Sequence, residues 1–350
     1  MLEELPESQI PPADPGQLPA PLRPLLSTIL TGPDGLRAGW GLLFFLVLFF
    51  AMSNGAMALI HAITSHLHHG NHTPQVYFGP TPVEVLSGEG CLALVALLAT
   101  WIMSRVERRP FLGYGLAPAR WLPRLLAGLI WGLGFLSLLV FVLRAAGLLV
   151  FDHRALSGAT AVQFGAYWFA AFLAVGFFEE IFFRGYMQFT LARGLAGIFG
   201  LLGASNRQTR GFWTAAFLVS FGFGFSHSSN QGESPIGLLS ASLIGVVFCL
   251  SLWRTGSLWW AIGLHAAWDW AQSYLYGVAD SGTIVASHLL VTHPLGRIIL
   301  SGGRTGPEGS IYILPIILMI AIVILLTLPR THKGYSPRDA SDHQAALDLA

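Results

Sequence analysis

Long apolar runs recur along the chain with short polar interruptions, and each approaches the roughly 20 residues that a helix needs to cross a bilayer. About eight such runs stand out, at residues 38–60, 85–104, 124–150, 162–185, 212–228, 235–252, 257–277 and 310–328. They predict an all-α, polytopic transmembrane helix bundle with no soluble domain left over. The segment 186–203 is apolar but short and glycine-rich, so it either extends the fourth helix or lies along the interface. Gly232 with Pro235, and Gly256, punctuate the runs as ordinary turn residues.

Composition agrees with this pattern. Of 350 residues, 53% are hydrophobic and 11% are charged, whereas soluble domains carry roughly a quarter charged residues. A net charge of +1 leaves no polybasic face for phosphates, which removes nucleic acid as an expected partner and leaves the lipid bilayer. Cys91 and Cys249 are the two cysteines, both within apolar runs, and support neither a disulfide framework nor a cysteine metal site. The Pro-rich leader, with Pro6, Pro11, Pro12, Pro15, Pro19, Pro21 and Pro24, reads as a disordered cytoplasmic tail over 1–37. The remaining organisation is N-terminal transmembrane helices over 38–150, a core carrying the chemistry over 151–280, a loop and final helix over 281–328, and a cytoplasmic tail over 329–350.

Lys and Arg are retained in cytoplasmic loops. Arg105, Arg108, Arg109, Arg120 and Arg124 follow the second run, Arg193, Arg207 and Arg210 the fourth, Arg254 the sixth, and Arg330, Lys333 and Arg338 the last. Loop 61–84 has neither residue. An even number of spans with both termini in the cytoplasm follows, that is, in the inner or plasma membrane for a bacterial source, although Arg297 and Arg304 fall on the opposite side.

Ionisable groups inside apolar segments are costly, so their clusters mark function by default. Glu179 and Glu180 sit with Arg184 among Phe177, Phe178, Phe182 and Phe183. Phe223 precedes His227 by one turn and walls the site against lipid, and His265 precedes Asp269 by one turn. Glu180 and Arg184, four apart with the acid first, share a helix face as a pair. Glu179 is rotated by about 100° from Glu180, so it points to other helices and needs its own partner. Asp269 stands where it orients or charges His265. A carboxylate with two histidines from separate helices activates water either directly, as a general base, or through a metal held by two His and one Glu. The metal-ligating set is then Glu179, His227 and His265, with zinc the best match. His61, His66, His68, His69 and His72 form a further His-rich tract, read as a solvated loop with metal binding as the alternative. Glu84 and Glu89 read as interfacial.

These residues resemble the CAAX-protease and bacteriocin-processing (CPBP) family of membrane proteins, which includes the eukaryotic CAAX prenyl endopeptidase and bacterial immunity-type proteins. Its ordered motifs Glu-Glu-x-x-x-Arg, Phe-x-x-x-His and His-x-x-x-Asn/Asp correspond to Glu179, Glu180 and Arg184, then Phe223 and His227, then His265 and Asp269. The resemblance covers about residues 162–277. It implies an intramembrane endopeptidase that hydrolyses a peptide bond of a membrane-associated protein or peptide. It further implies Glu179 as principal base acting with His227, Glu180 and Arg184 as support, and His265 with residue 269 orienting substrate or stabilising the oxyanion. The family often has Asn at the last position, and an ionised Asp269 accepts hydrogen bonds but donates none. A non-catalytic membrane immunity or scaffold protein and a proton-coupled transporter are the rival readings.

One consequence of the predicted boundaries conflicts with the motifs. With a fourth span ending at 185 on the cytoplasmic side and a fifth starting at 212, His227 lies roughly 22 Å deeper than that end, out of reach of Glu179. The motifs meet only if the fourth helix runs beyond 185, or if the fifth is tilted, broken or entered later.

Overall fold

A computed structural model describes residues 29–32, 35–67 and 79–329. Most of the Pro-rich leader, His68, His69 and His72, and the tail from Arg330 onward lie outside the described residues. Up to Arg37 the chain is a unit of its own, in which Thr31–Gly32 (β1) pairs antiparallel with Gly35–Leu36 (β2).

From Ala38 onward every predicted run forms a helix. In chain order these are Ala38–Leu67 (α1), Pro82–Val106 (α2), Trp121–Ala145 (α3), Gly158–Glu179 (α4), Gln188–Leu201 (α5), Arg207–Ser226 (α6), Pro235–Thr255 (α7), Trp259–Asp269 (α8), the short Ile298–Ser301 (α9) and Ile313–Thr327 (α10). Helices α4 and α5 are joined by a π-helical segment, Glu180–Met187, into one 44-residue helix that kinks at Gly185. Five helices are long and apolar enough to cross a membrane: 38–63, 82–106, 121–145, 158–201 and 235–255. Helix α10 is apolar but shorter. Helices α6 and α8, which carry two of the motifs, fall outside that set. The first opens on Arg207, Gln208 and Arg210, and the second has only 11 residues before a π turn at Trp270–Leu275.

Two boundaries differ from the sequence reading. Helix α1 continues to Leu67, so His61 and His66 belong to its last turns rather than to a loop. The fourth helix runs on to Leu201 rather than ending near 185, and this removes the mismatch in depth. From Glu179 the chain travels about 33 Å of helix to Leu201, and from Arg207 it returns about 30 Å to His227. The acids and the histidine therefore come back to one level.

The core is built where α3, α7, α8 and α10 meet, around Leu136, Leu139, Trp260, Leu264, Ile316 and Ile320. Between helices in lipid there is little hydrophobic drive, so close backbone approach matters more. A Cβ on Gly132 would stand 2.3 Å from the Leu264 carbonyl, and one on Gly263 would stand 2.2 Å from the Leu125 carbonyl. Only glycine at these two positions lets α3 and α8 touch, which fixes the helix that bears His265. A second cluster, Trp168, Phe172, Tyr274 and Val285, holds α4 against the chain that follows α8, and the Trp168 indole donates to the Ala286 carbonyl at 3.0 Å.

Residues 276–312 are more than a loop. Leu149–Arg154 (β3) and Leu290–Pro294 (β4) form an antiparallel ladder, with Leu149 opposite Pro294 and an irregularity between Phe151 and His153. The Asn230 amide donates to the Ser281 carbonyl at 3.0 Å, and the Thr305 hydroxyl donates to the Gly232 carbonyl at 3.0 Å. These bonds tie the segment as a strap to the turn that follows α6.

Candidate active site

Glu180 and Arg184 form the innermost pair. Arg184 Nη1 donates to Glu180 Oε1 at 2.9 Å, and both side chains are 0% exposed, as their four-residue spacing predicts. The guanidinium lies 4.1 Å from the centre of the Phe223 ring and 5.5 Å from that of Phe248, so aromatic rings flank the cation beside its carboxylate partner. Space for it depends on α7. A Cβ on Gly245 would stand 2.5 Å from Arg184 Nη2.

The separate partner expected for Glu179 is His265. Its Nε2 lies 3.4 Å from Glu179 Oε2 and 3.5 Å from Asp269 Oδ2, and its Nδ1 lies 3.1 Å from Glu180 Oε1. Both acids thus converge on one imidazole. This alters the expected division, in which Glu180 serves Arg184 alone. Both acids keep α-helical backbone angles, φ −67° and ψ −39° at Glu179 and φ −68° and ψ −39° at Glu180, and the imidazole meets both because it turns one ring nitrogen to each. A carboxylate accepts, so Nδ1 carries the proton in its bond to Glu180. Nε2 faces two further carboxylates, and a proton must be shared among those three groups for the contacts to be favourable.

His227 terminates α6, half-buried. Its Nδ1 is 2.9 Å from the Phe223 carbonyl and its ring packs edge-on to Phe223 at 4.9 Å. A carbonyl only accepts, so this bond places the proton on Nδ1 and leaves the Nε2 lone pair of a neutral ring available.

Glu179, Phe223, His227, His265 and Asp269 line one cavity of about 260 Å³, with Phe172, Ile244, Phe248 and Ile317 among its apolar walls. Glu180 and Arg184 lie behind it. Among the described residues no group of three His, Cys, Asp or Glu side chains stands out as able to hold a metal ion.

Three acids of the cavity wall were not anticipated. Glu89 of α2, read as interfacial, lines the cavity, whereas Glu84 closes a capping box with Thr81. Asp280 and Glu308 come from the strap. The Trp268 indole donates to Glu308 Oε1 at 2.9 Å, the Ser281 hydroxyl to Glu308 Oε2 at 3.3 Å, and the Ser273 hydroxyl to Asp280 Oδ2 at 3.1 Å. Burial, reinforced by Asp269 and Glu308, holds the Asp280 carboxyl well above the ordinary carboxylate range. A fourth acid, Glu107, stands apart at the other end of the π segment. It accepts from Tyr186 at 2.6 Å and Arg193 at 2.9 Å, so Arg193, counted as a loop marker, is committed to a partly buried pair. A solitary acid beside Arg108 and Arg109 gives no sign of this in the sequence.

Neither a curated protein nor a solved structure shows significant similarity to the chain. A family model does: residues 161–271, which carry all three motifs, match the Rce1-like family, described as type II CAAX prenyl endopeptidase Rce1-like, in agreement with the resemblance drawn from Glu179 through Asp269.

Proposed function

We propose that the protein is a membrane-embedded endopeptidase that hydrolyses a peptide bond of a membrane-associated protein or peptide, with Glu179 as the base. The observation that carries this reading is the convergence of Glu179 and Glu180 on His265 beside a cavity, within the stretch that matches the endopeptidase family. At family level the match implies a CAAX-type membrane protease.

In this reading Glu179, with 18% of its side chain exposed, takes a proton from water as the water oxygen attacks the scissile carbonyl carbon. The Nε2 lone pair of His227 accepts the second water hydrogen bond and aligns the nucleophile. A protonated Nε2 on His265, supported by Asp269, donates to the oxyanion that forms. Asp269 thereby acts through His265 and needs no donor of its own. On collapse the C–N bond breaks, the proton held by Glu179 passes to the departing amine, and the products are a carboxylic acid and an amine. Glu180 and Arg184 hold His265 at its Nδ1 side.

Comparison of membrane proteomes from cells carrying wild-type or Glu179→Ala protein tests the reading. A cleaved product that disappears with Glu179→Ala supports it. Identical proteomes, with normal accumulation of both proteins and a phenotype that persists in the variant, favour the scaffold reading. Zinc participation is tested separately by elemental analysis and exhaustive chelation, and the account of direct water activation expects full activity at well under an equivalent of metal.

A further inference from the structure

The two histidines of the cavity come from different elements. His265 lies in α8, and His227 opens the short turn His227–Ser229 that follows α6. The Asn230 backbone N–H donates to the His227 carbonyl at 3.0 Å, and from there the chain runs extended, with φ −72° and ψ 127° at Asn230. The strap meets this turn. Asn230 Nδ2 donates to the Ser281 carbonyl at 3.0 Å, the Thr305 hydroxyl donates to the Gly232 carbonyl at 3.0 Å, and a Cβ on Gly232 would stand 2.6 Å from the Gly282 carbonyl oxygen.

Glu308 carries the connection on to α8. The Ser281 hydroxyl donates to its Oε2 at 3.3 Å, and the indole of Trp268, next to Asp269 and one turn beyond His265, donates to its Oε1 at 2.9 Å. Its backbone carbonyl accepts from the Ser240 hydroxyl of α7 at 3.0 Å, so the acid is held at three points. Ser281 has φ 43°, a left-handed conformation that residues other than glycine seldom adopt, and the bonds at its carbonyl and its hydroxyl fix it there. A continuous path of hydrogen bonds thus runs from His227 through Asn230, Ser281 and Glu308 to Trp268, in the helix of His265. Ser281 and Glu308 lie beyond residue 271, outside the stretch that matches the family model.

We propose that Glu308 is a positioning residue, which sets the spacing of His227 and His265 across the cavity by bridging the turn that bears one to the helix that bears the other. The inference rests on the proteolytic reading, in which the two rings must serve the water and the oxyanion of one scissile carbonyl. In this role Glu308 acts through Trp268 and Ser281 and touches neither water nor substrate. A displacement of about 1 Å at a reacting geometry costs on the order of a hundredfold in rate. The apolar walls that receive the substrate are left in place, so the loss falls on turnover rather than on binding.

The test measures kcat and KM of the purified full chain in detergent, on a quenched-fluorescence peptide spanning the cut site found by proteome comparison. Glu308→Ala is expected to lower kcat at least about tenfold while KM stays within about threefold of wild type. Glu308→Gln keeps an oxygen that accepts from Trp268 and gains an amide that donates to the Ser281 hydroxyl, so it is expected to hold kcat within about threefold of wild type. Trp268→Phe should resemble Glu308→Ala, and the double variant should be no slower than the slower single one, because both cut the same path. If Glu308→Ala fails to fold, Trp268→Phe and Asn230→Ala, which cut the path on either side of Glu308, carry the same expectation. Wild-type kcat in Glu308→Ala, or in both of those variants, overturns the inference and leaves proteolysis standing. So does an equal loss in Glu308→Gln and Glu308→Ala, which assigns the effect to the charge, or multiplying losses in the double variant. A wild-type chain that cuts no such peptide overturns the proteolytic reading and the inference together.

Discussion

His265 Nδ1 and Glu180 Oε1 lie 3.1 Å apart, and the same carboxylate oxygen accepts from Arg184 at 2.9 Å. One oxygen therefore joins the motif on α8 to the buried guanidinium that α6 and α7 enclose. The second acid of the pair is a junction between helices, while Glu179 reaches the same ring from the cavity side.

A division between the two acids follows. Glu180 is 0% exposed with two partners, so Glu180→Gln leaves Arg184 buried without a countercharge, which typically costs about 3–5 kcal/mol. Glu179→Gln removes one contact at a cavity wall, and its stability should stay within about 1 kcal/mol of wild type. Thermal melts of the purified variants in detergent check this, with a large drop expected for Glu180→Gln alone. Equal destabilisation of the two contradicts the assignment.

Gly245 provides a test of the guanidinium site that leaves every charged group in place. A methyl at this position meets Arg184 Nη2 at 2.5 Å, within a pocket closed by Phe223 and Phe248. Gly245→Ala should destabilise the protein by about 1–3 kcal/mol, the usual range for overpacking. Gly134→Ala, where a Cβ meets nothing within 4 Å, is the matched control and should have little effect.

Stability should also fall as pH rises. The Asp280 carboxyl is held above its ordinary value by burial and by Asp269 and Glu308, so between the unfolded and folded values the folded protein binds more protons than the unfolded chain. Stability is then fully present below the ordinary carboxylate value and is lost progressively up to the raised one. Melting temperatures measured from about pH 8 down to about pH 5 should increase, and Asp280→Asn should flatten part of that slope. An unchanged slope in the variant contradicts this role for Asp280.

The helices themselves were legible because each needs a long apolar run, and the spacing of Glu180 with Arg184 and of His265 with Asp269 reported shared faces. The end of the fourth helix was not. Arg184 followed by Gly185 has the form of a helix C-terminus, and nothing in an apolar pattern distinguishes a π segment that carries the helix onward to Leu201. Glu308 was hidden for a different reason. It lies among Gly302, Gly303, Gly306, Pro307 and Gly309, where an acid reads as solvated loop, and its contact with Trp268 spans 40 residues that no local pattern connects. Glu107 meets Tyr186 from 79 residues away, with the same consequence.

Orientation rests on the distribution of Arg, and labelling tests it. With Cys91 and Cys249 replaced, an impermeant thiol reagent applied to intact cells should reach a cysteine at position 153, in the exposed part of β3, and not one at position 108. The reverse labelling pattern contradicts a cytoplasmic location for both termini.

The central claim is that Glu179 activates the water that cleaves the bond. Purified wild-type and Glu179→Gln proteins, incubated in ¹⁸O-labelled water with the substrate identified by proteome comparison, address it directly through the mass of the newly formed C-terminus. The account predicts incorporation of one labelled oxygen by the wild type and loss of turnover by at least about a hundredfold in Glu179→Gln, the scale of a removed general base. Undiminished cleavage and labelling by a folded Glu179→Gln protein would contradict it.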